Sequence, residues 1–120
     1  MVGLDVTLKI LCRPEDFDSS KERSPDLGGM LKEMSVFYIK FYQEVANLNG
    51  CSLHDPAAVI ACTHAELFET RAVKVTVSTE QETSGETRVA EDARGDTHVA
   101  MGVDAEAVKS LFLKRLSLLP

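Results

Sequence analysis

Apolar positions along the chain follow two periods, which divide it into predicted strands and helices. Alternation typical of strands covers three segments, residues 2–10, 72–78 and 98–103. Apolar residues follow helical spacing over residues 30–45 and 104–116. Residues 53–63 are mostly apolar and are also predicted to be helical. Residues 87–90 are expected to pair back as a further short strand. The predicted order β, α, α, β, β, β, α indicates an α/β protein.

Small and polar residues between these segments predict where elements begin and end. Residues 47–50 combine asparagine and glycine, which tolerate the left-handed conformation, and so end the first long helix. Asp104 is placed to cap the last helix. Four further segments are predicted from their composition as one short helix, one loop, one hairpin-like loop and one turn: residues 13–17, 18–26, 79–86 and 92–96.

Composition narrows the class of protein. The 120 residues are 44% hydrophobic and 27% charged, which is typical of one soluble globular domain. A net charge of -6 argues against nucleic acid and anionic membranes as partners. No apolar run approaches the roughly 20 residues of a membrane span, and the first residues lack the layout of a signal peptide. Three cysteines without CxxC spacing argue against a disulfide framework or zinc site and favour a reducing, cytoplasmic location.

His54 and Asp55, followed by Pro56, form the most informative pair for chemistry. Asp at the N-cap and Pro at the first helical position predict that a helix starts here. A carboxylate is a hard ligand suited to calcium, and a histidine can protonate a leaving group near neutral pH. The simpler interpretation is that Asp55 is only a cap and His54 only a surface residue. One carboxylate does not supply the roughly six to eight oxygens that calcium requires.

Tyr38 and Tyr42 lie one helical turn apart on the face predicted to point toward the core. They are placed either to stack on an aromatic ligand or to pack within the core, and packing is the commoner role. Asp5 lies on a predicted strand, where acids are disfavoured, so it marks either a site or a solvent-facing position.

Four blocks, taken in order, resemble the C-terminal part of the inosine-uridine preferring nucleoside hydrolases. The blocks are Gly3–Thr7 (GLDVT), the aromatic helix Met34–Tyr42, the HDP block Cys51–Val59, and a strand-rich tail with Gly85–Thr87, Asp92–Arg94, Val99–Ala100 and Val103–Asp104. The resemblance covers nearly all 120 residues. It implies an α/β fold with a mostly parallel central sheet flanked by helices. It also implies hydrolysis of the N-glycosidic bond of purine and pyrimidine ribonucleosides to ribose and free base.

The resemblance also implies roles for individual residues. Members of the family use a bound calcium to orient the ribose and the attacking water. His54 corresponds to the catalytic acid near the leaving base, and Asp55 to a calcium ligand. Tyr42, with Tyr38 behind it, corresponds to residues that enclose the base of the nucleoside substrate.

The family's N-terminal aspartate-rich motif, which supplies most calcium ligands and the catalytic base, has no counterpart in this sequence. Residues 1–120 are therefore expected to form a partial nucleoside hydrolase domain. The alternative is a non-catalytic truncated homologue that acts as an interaction or structural module. In that case, sheet edges left without neighbouring strands would favour self-association as a homo-oligomer.

Overall fold

The protein is described here from a computed structural model, which covers residues 1–90 and 95–118. Its helices are α1 (Leu4–Thr7), α2 (Asp18–Arg23), α3 (Pro25–Ala46), α4 (His54–Thr63) and α5 (Ala105–Leu116). Its strands are β1 (Leu11–Cys12), β2 (Cys51–Ser52), β3 (Phe68–Val77), β4 (Thr87–Ala90) and β5 (Thr97–Val103). Short 3-10 turns occupy Pro14–Phe17, Ala65–Leu67 and Gln81–Thr83.

The strands form two small antiparallel sheets. In one, β1 pairs with β2, so that Cys12 lies opposite Cys51. In the other, β3 lies between β4 and β5, with Val75 opposite Val89. Every pairing within the described ranges is antiparallel, so the expected mostly parallel sheet is not found in this part of the fold. For β3 and β4 the cause is the short connection at residues 78–86, because parallel strands need a crossover of about a dozen residues or more.

The first segment differs most from its prediction, since a strand was expected over residues 2–10 and the helix α1 occurs there instead. The backbone N–H groups of Val6 and Thr7 both donate to the Gly3 carbonyl, at 3.1 Å each, which closes a helical turn. Val6 and Thr7 are both buried although they are consecutive. A strand would direct neighbouring side chains to opposite faces, so tertiary burial overrides the alternating pattern.

Residues 18–26 were predicted as a loop, and this was wrong because α2 occupies Asp18–Arg23 and α3 already begins at Pro25. The two helices approach closely at Gly28. A Cβ atom there would lie 2.3 Å from the Ser20 carbonyl oxygen. The ammonium group of Lys32 on α3 also pairs with the carboxylate of Asp18 on α2. The contacts between the helices therefore stabilise a helical turn that its polar composition does not reveal.

Most other elements agree with the sequence. The long helix α3 ends at Asn47, whose φ of 52° is left-handed, and the hairpin between β3 and β4 contains Gly85 with a φ of 87°. The carboxylate of Asp104 accepts a hydrogen bond from the Ala107 N–H at 3.0 Å and so caps α5, as expected. Of the turn predicted over residues 92–96, residues 92–94 lie outside the described ranges.

The core lies where α1, α4 and α5 meet the β3–β5 pair. Its buried members from these elements are Val6, Ala57, Ile60, Phe68, Ala100 and Val108. The Met1 ammonium donates to the His98 carbonyl at 2.6 Å, and the Ala100 N–H donates to the Met1 carbonyl at 2.9 Å. These bonds hold the first residues against β5 and place α1 beside α4.

None of the helices in the described ranges is long and apolar enough to cross a membrane.

Candidate functional site

The start of α4 is set by Leu53 and not by Asp55. Leu53 is buried, and its N–H donates to the Ile10 carbonyl at 3.1 Å. Its carbonyl in turn accepts from the Ala57 N–H at 3.2 Å, which is the first hydrogen bond of the helix. The prediction that Asp55 is the N-cap is therefore wrong, because the packing of Leu53 begins the helix two residues earlier. Asp55 lies in the first turn, where free N–H groups favour a carboxylate.

The imidazole of His54 is held between two hydroxyl groups from different helices. Its Nδ1 lies 2.6 Å from Oγ1 of Thr7 on α1. Its Nε2 lies 2.6 Å from the hydroxyl of Tyr42 on α3. The rings of Tyr42 and His54 have their centroids 6.1 Å apart. His54 is thus a half-buried residue with both ring nitrogens bonded, and the simple surface interpretation is wrong.

His54 and Asp55 line an open groove with a cavity volume of about 440 Å³. Tyr38 lies on its wall, and most of the remaining wall is apolar, from Phe17, Leu31, Met34, Leu53 and Phe112. This volume falls within the range of about 300–1,000 Å³ that is usual for small-molecule sites. An apolar groove with a few convergent polar groups is the usual form of a ligand site.

The burial of the two tyrosines tests the prediction that they pack within the core. Tyr38 is 51% exposed, so core packing is wrong for it. Tyr42 is partly buried against the core and directs its hydroxyl at His54. Asp5 is exposed in the first turn of α1. His54, Asp55 and Tyr38 meet at one groove with Tyr42 beside them, whereas Asp5 is not among the groove's lining residues.

Thr7 is the residue of this site that sequence patterns did not single out. It is buried, with 3% of its surface exposed, and it reaches His54 across 47 positions in the chain. Its place within the GLDVT block was the one available signal. No local period relates residues so far apart in sequence, so only the packing of α1 against α4 identifies Thr7.

Two cysteines lie near the groove but are poorly suited as nucleophiles. Burial raises the pKa of Cys12 to about 12, with the charge of Asp16 adding to the effect. Burial also raises the pKa of Cys51, which lines the groove. Both thiols therefore stay protonated near neutral pH. The groove thus offers an imidazole, a carboxylate and hydroxyl groups for chemistry, rather than a thiolate.

A metal ion needs more ligands than this site brings together. Nowhere in residues 1–90 or 95–118 do three His, Cys, Asp or Glu side chains converge as a metal-binding group. Asp55 is exposed and contributes at most one carboxylate. Calcium requires roughly six to eight oxygens, so the described residues do not fit a complete calcium site.

Comparison with known proteins agrees with the family resemblance found in the sequence. The sequence model of the inosine-uridine preferring nucleoside hydrolases matches residues 1–110. The pyrimidine-specific ribonucleoside hydrolase RihA of Klebsiella pneumoniae strain 342 is 30% identical over 123 aligned positions, covering 98% of this chain. The chain spans only 40% of the length of that relative.

Solved structures show the same relationship. The purine-preferring ribonucleoside hydrolase from Gardnerella vaginalis superposes with a TM-score of 0.85 at 34% identity, over 98% of this chain and 39% of its own. A plant nucleoside hydrolase, PpNRh1, superposes with a TM-score of 0.84 at 24% identity, over 98% of this chain and 40% of its own. These superpositions confirm the expected α/β fold of the nucleoside hydrolases. The strand pairs of the described residues are antiparallel, however.

Proposed function

The chain belongs to the inosine-uridine preferring nucleoside hydrolases, and from this premise we propose that it supplies the base-facing part of a ribonucleoside hydrolase. The reaction is cleavage of the N-glycosidic bond to ribose and free base. The names of two relatives, one pyrimidine-specific and one purine-preferring, support nucleosides as the substrate class. The observation that carries the proposal is the placement of His54 between the hydroxyls of Thr7 and Tyr42 beside an apolar groove.

His54 is proposed as the general acid. When the glycosidic bond breaks through an oxocarbenium-like transition state, negative charge develops on the departing base. A proton delivered to a base nitrogen neutralises that charge and lowers the barrier. The Nε2 of His54 lies 2.6 Å from the Tyr42 hydroxyl, so a proton can reach the groove through this hydroxyl as well as directly.

Tyr38 and Tyr42 are proposed to contact the base. Tyr38 presents an exposed ring at the groove, and an aromatic face there stacks favourably on a flat heterocycle. Tyr42 is less exposed and is held by its bond to His54. Tyr38 therefore serves recognition, while Tyr42 connects the recognition surface to the acid.

Asp55 is proposed as one ligand of a calcium ion that orients ribose and water when bound. Its carboxylate lies next to His54 and lines the same groove. The remaining ligands must come from residues beyond these 120, because the described residues bring no metal-binding group together. A cytoplasmic location is also proposed, in line with three unbridged cysteines. Self-association as a homo-oligomer is proposed from the exposed apolar side chains of α3.

A chimera tests the proposal. In the chimera, the 120 residues replace the segment of the RihA relative to which they align. The alignment includes 98% of this chain. Ribose release from inosine and uridine is measured with added calcium. His54→Ala is expected to lower kcat/KM by about 100-fold or more, the range of a general acid. His98→Ala, at an exposed strand position, is the matched control and is expected to leave turnover unchanged.

The alternative of a non-catalytic interaction module is favoured by one observation. The helix α3 exposes a run of apolar side chains, Met30, Met34, Phe37, Phe41 and Val45. Large exposed apolar patches mark interaction sites. A folded chimera that releases no ribose from either nucleoside would favour this alternative, and equal activity of the His54→Ala variant would remove His54 from the mechanism.

A further inference from the structure

Thr7 has an unusual position for a hydroxyl-bearing residue. Its side chain is almost completely buried, and Oγ1 lies 2.6 Å from Nδ1 of His54. It belongs to α1, whereas His54 opens α4. Within the described ranges the hydroxyl makes no other hydrogen bond. A buried hydroxyl whose proton has no acceptor is costly, so the Thr7 proton must go to His54.

This requirement decides which ring nitrogen carries a proton. A neutral imidazole has one nitrogen that donates and one that accepts. If Thr7 donates to Nδ1, then Nδ1 is the acceptor and the proton of the ring sits on Nε2. The Nε2–H group then donates to the Tyr42 oxygen 2.6 Å away. Tyr42, which lies beside the groove, is less buried than Thr7, and its own proton is free for another acceptor or for water.

We propose that Thr7 is the positioning residue of His54, which holds the imidazole as the Nε2–H tautomer with that proton directed at Tyr42. This inference rests on the proposed role of His54 as the acid and adds a residue that determines where its proton lies. Thr7 itself does not touch the groove, since it is absent from the groove's lining residues.

A hydroxyl suits this role better than a carboxylate or a carbonyl would. A hydroxyl can donate to an unprotonated Nδ1, which gives its own proton an acceptor and leaves the ring proton on Nε2. The Thr7 contact therefore favours the neutral ring in this tautomer. A carboxylate at this point would favour the charged ring, and a carbonyl would place the proton of the neutral ring on Nδ1, away from Tyr42.

The test uses ¹⁵N NMR of the histidine side chains in the 120-residue chain, because the nitrogen chemical shifts distinguish a protonated from an unprotonated ring nitrogen. His54→Gln identifies the His54 signals among those of His64 and His98. The wild-type protein is expected to show a protonated Nε2 and an unprotonated Nδ1. A wild-type spectrum with the proton on Nδ1 would overturn the proposal without any variant of Thr7.

Two substitutions separate the hydroxyl from the shape of the side chain. Thr7→Val keeps the volume but removes the hydroxyl, and the His54 nitrogen shifts are expected to move toward the average of the two tautomers. Thr7→Ser keeps the hydroxyl and is expected to retain the wild-type shifts. Unchanged His54 shifts in Thr7→Val would contradict the proposal. If this variant fails to fold, a Thr7→Ser spectrum with averaged His54 shifts would contradict it equally.

Activity gives a separate readout in the chimera. Thr7→Val is expected to lower kcat by about tenfold, with KM little changed, and Thr7→Ser is expected to restore it. The two proposals fail in different ways. An inactive chimera with the Nε2–H tautomer intact would reject the proposed function and leave the role of Thr7 standing. An active chimera with an averaged His54 tautomer would reject only the role of Thr7.

Discussion

The hydroxyl of Tyr42 lies 2.6 Å from Nε2 of His54, and this contact joins the long helix α3 to the first turn of α4. Elsewhere on α3, Ile39 is buried in the core and Leu31 packs against it. The Tyr42–His54 hydrogen bond between two partly buried side chains is therefore one of the contacts that hold α3 against α4. Its loss should be visible both in stability and in the behaviour of the imidazole.

Tyr42→Phe is expected to reduce the free energy of unfolding by about 1 kcal/mol, since it removes one hydrogen bond and leaves a ring nitrogen unpaired. Urea denaturation followed by circular dichroism measures the change. Tyr38→Phe is the matched control, because the Tyr38 ring is half exposed and lies one turn away on the same helix. Equal effects of both substitutions would show that the Tyr42–His54 bond contributes nothing specific.

Adjacent positions on α4 test which face of this helix is buried. Ile60 is 3% exposed and Val59 is 62% exposed. Ile60→Ala is expected to cost about 3 kcal/mol, because it leaves a cavity in the core. Val59→Ala removes methyl groups that already face solvent and is expected to change stability by less than about 0.5 kcal/mol. A larger loss in Val59→Ala, measured by thermal or urea unfolding, would mean that α4 is rotated from the orientation described here.

The buried thiol of Cys12 predicts a loss of stability at alkaline pH. Burial and nearby negative charge raise its pKa from 9.0 to about 12 in the folded protein. Below pH 9.0 the thiol is protonated in both states, so its contribution is complete there. As the pH rises from 9.0 toward 12, the unfolded chain loses the proton first, and the free energy of unfolding falls. Urea titrations at several pH values between 9.0 and about 12 measure the effect.

The weakening of the ion pair of Lys109 with Asp16 also lowers the free energy of unfolding as the pH rises. Burial lowers the pKa of Lys109, but the hydrogen bond and charge of Asp16 outweigh burial and raise it, so this ion pair also weakens as the pH rises. Cys12→Ala is expected to flatten the alkaline slope, whereas Cys62→Ala, at an exposed position, should leave it unchanged. Identical slopes in all three proteins would contradict the burial of Cys12.

Asp55→Asn is expected to raise the calcium concentration needed for half-maximal activity of the chimera by at least about tenfold, because a charged oxygen ligand becomes neutral. Glu66→Gln removes one negative charge from an exposed position in the 3-10 turn that follows α4 and serves as the control for net charge. The measurement is ribose release against free calcium. An unchanged calcium requirement in Asp55→Asn would exclude Asp55 as a ligand.

The sequence predicts most residues of the candidate site, but it does not predict the hydrogen bonds between them. The HDP block and the aromatic helix identify His54, Asp55, Tyr38 and Tyr42, and the structure places all four at or beside one groove. The hydrogen bonds of the imidazole depend on three helices meeting. Neither Thr7 as a partner nor the exposure of Tyr38 follows from helical spacing, since spacing gives a face and not what covers it.

By itself the sequence determined the elements whose signals are local. The helices α3, α4 and α5, the strands β3, β4 and β5, and the cap at Asp104 follow from periodicity and capping over a few neighbouring residues. Tertiary structure alone decided the helix at Leu4–Thr7, the role of Leu53 rather than Asp55 as the N-cap of α4, and the antiparallel pairing of β1 with β2 and of β3 with β5. The reason is physical: each of these depends on burial or hydrogen bonds between segments far apart in the chain, and such contacts override a local preference worth a few tenths of a kcal/mol per residue.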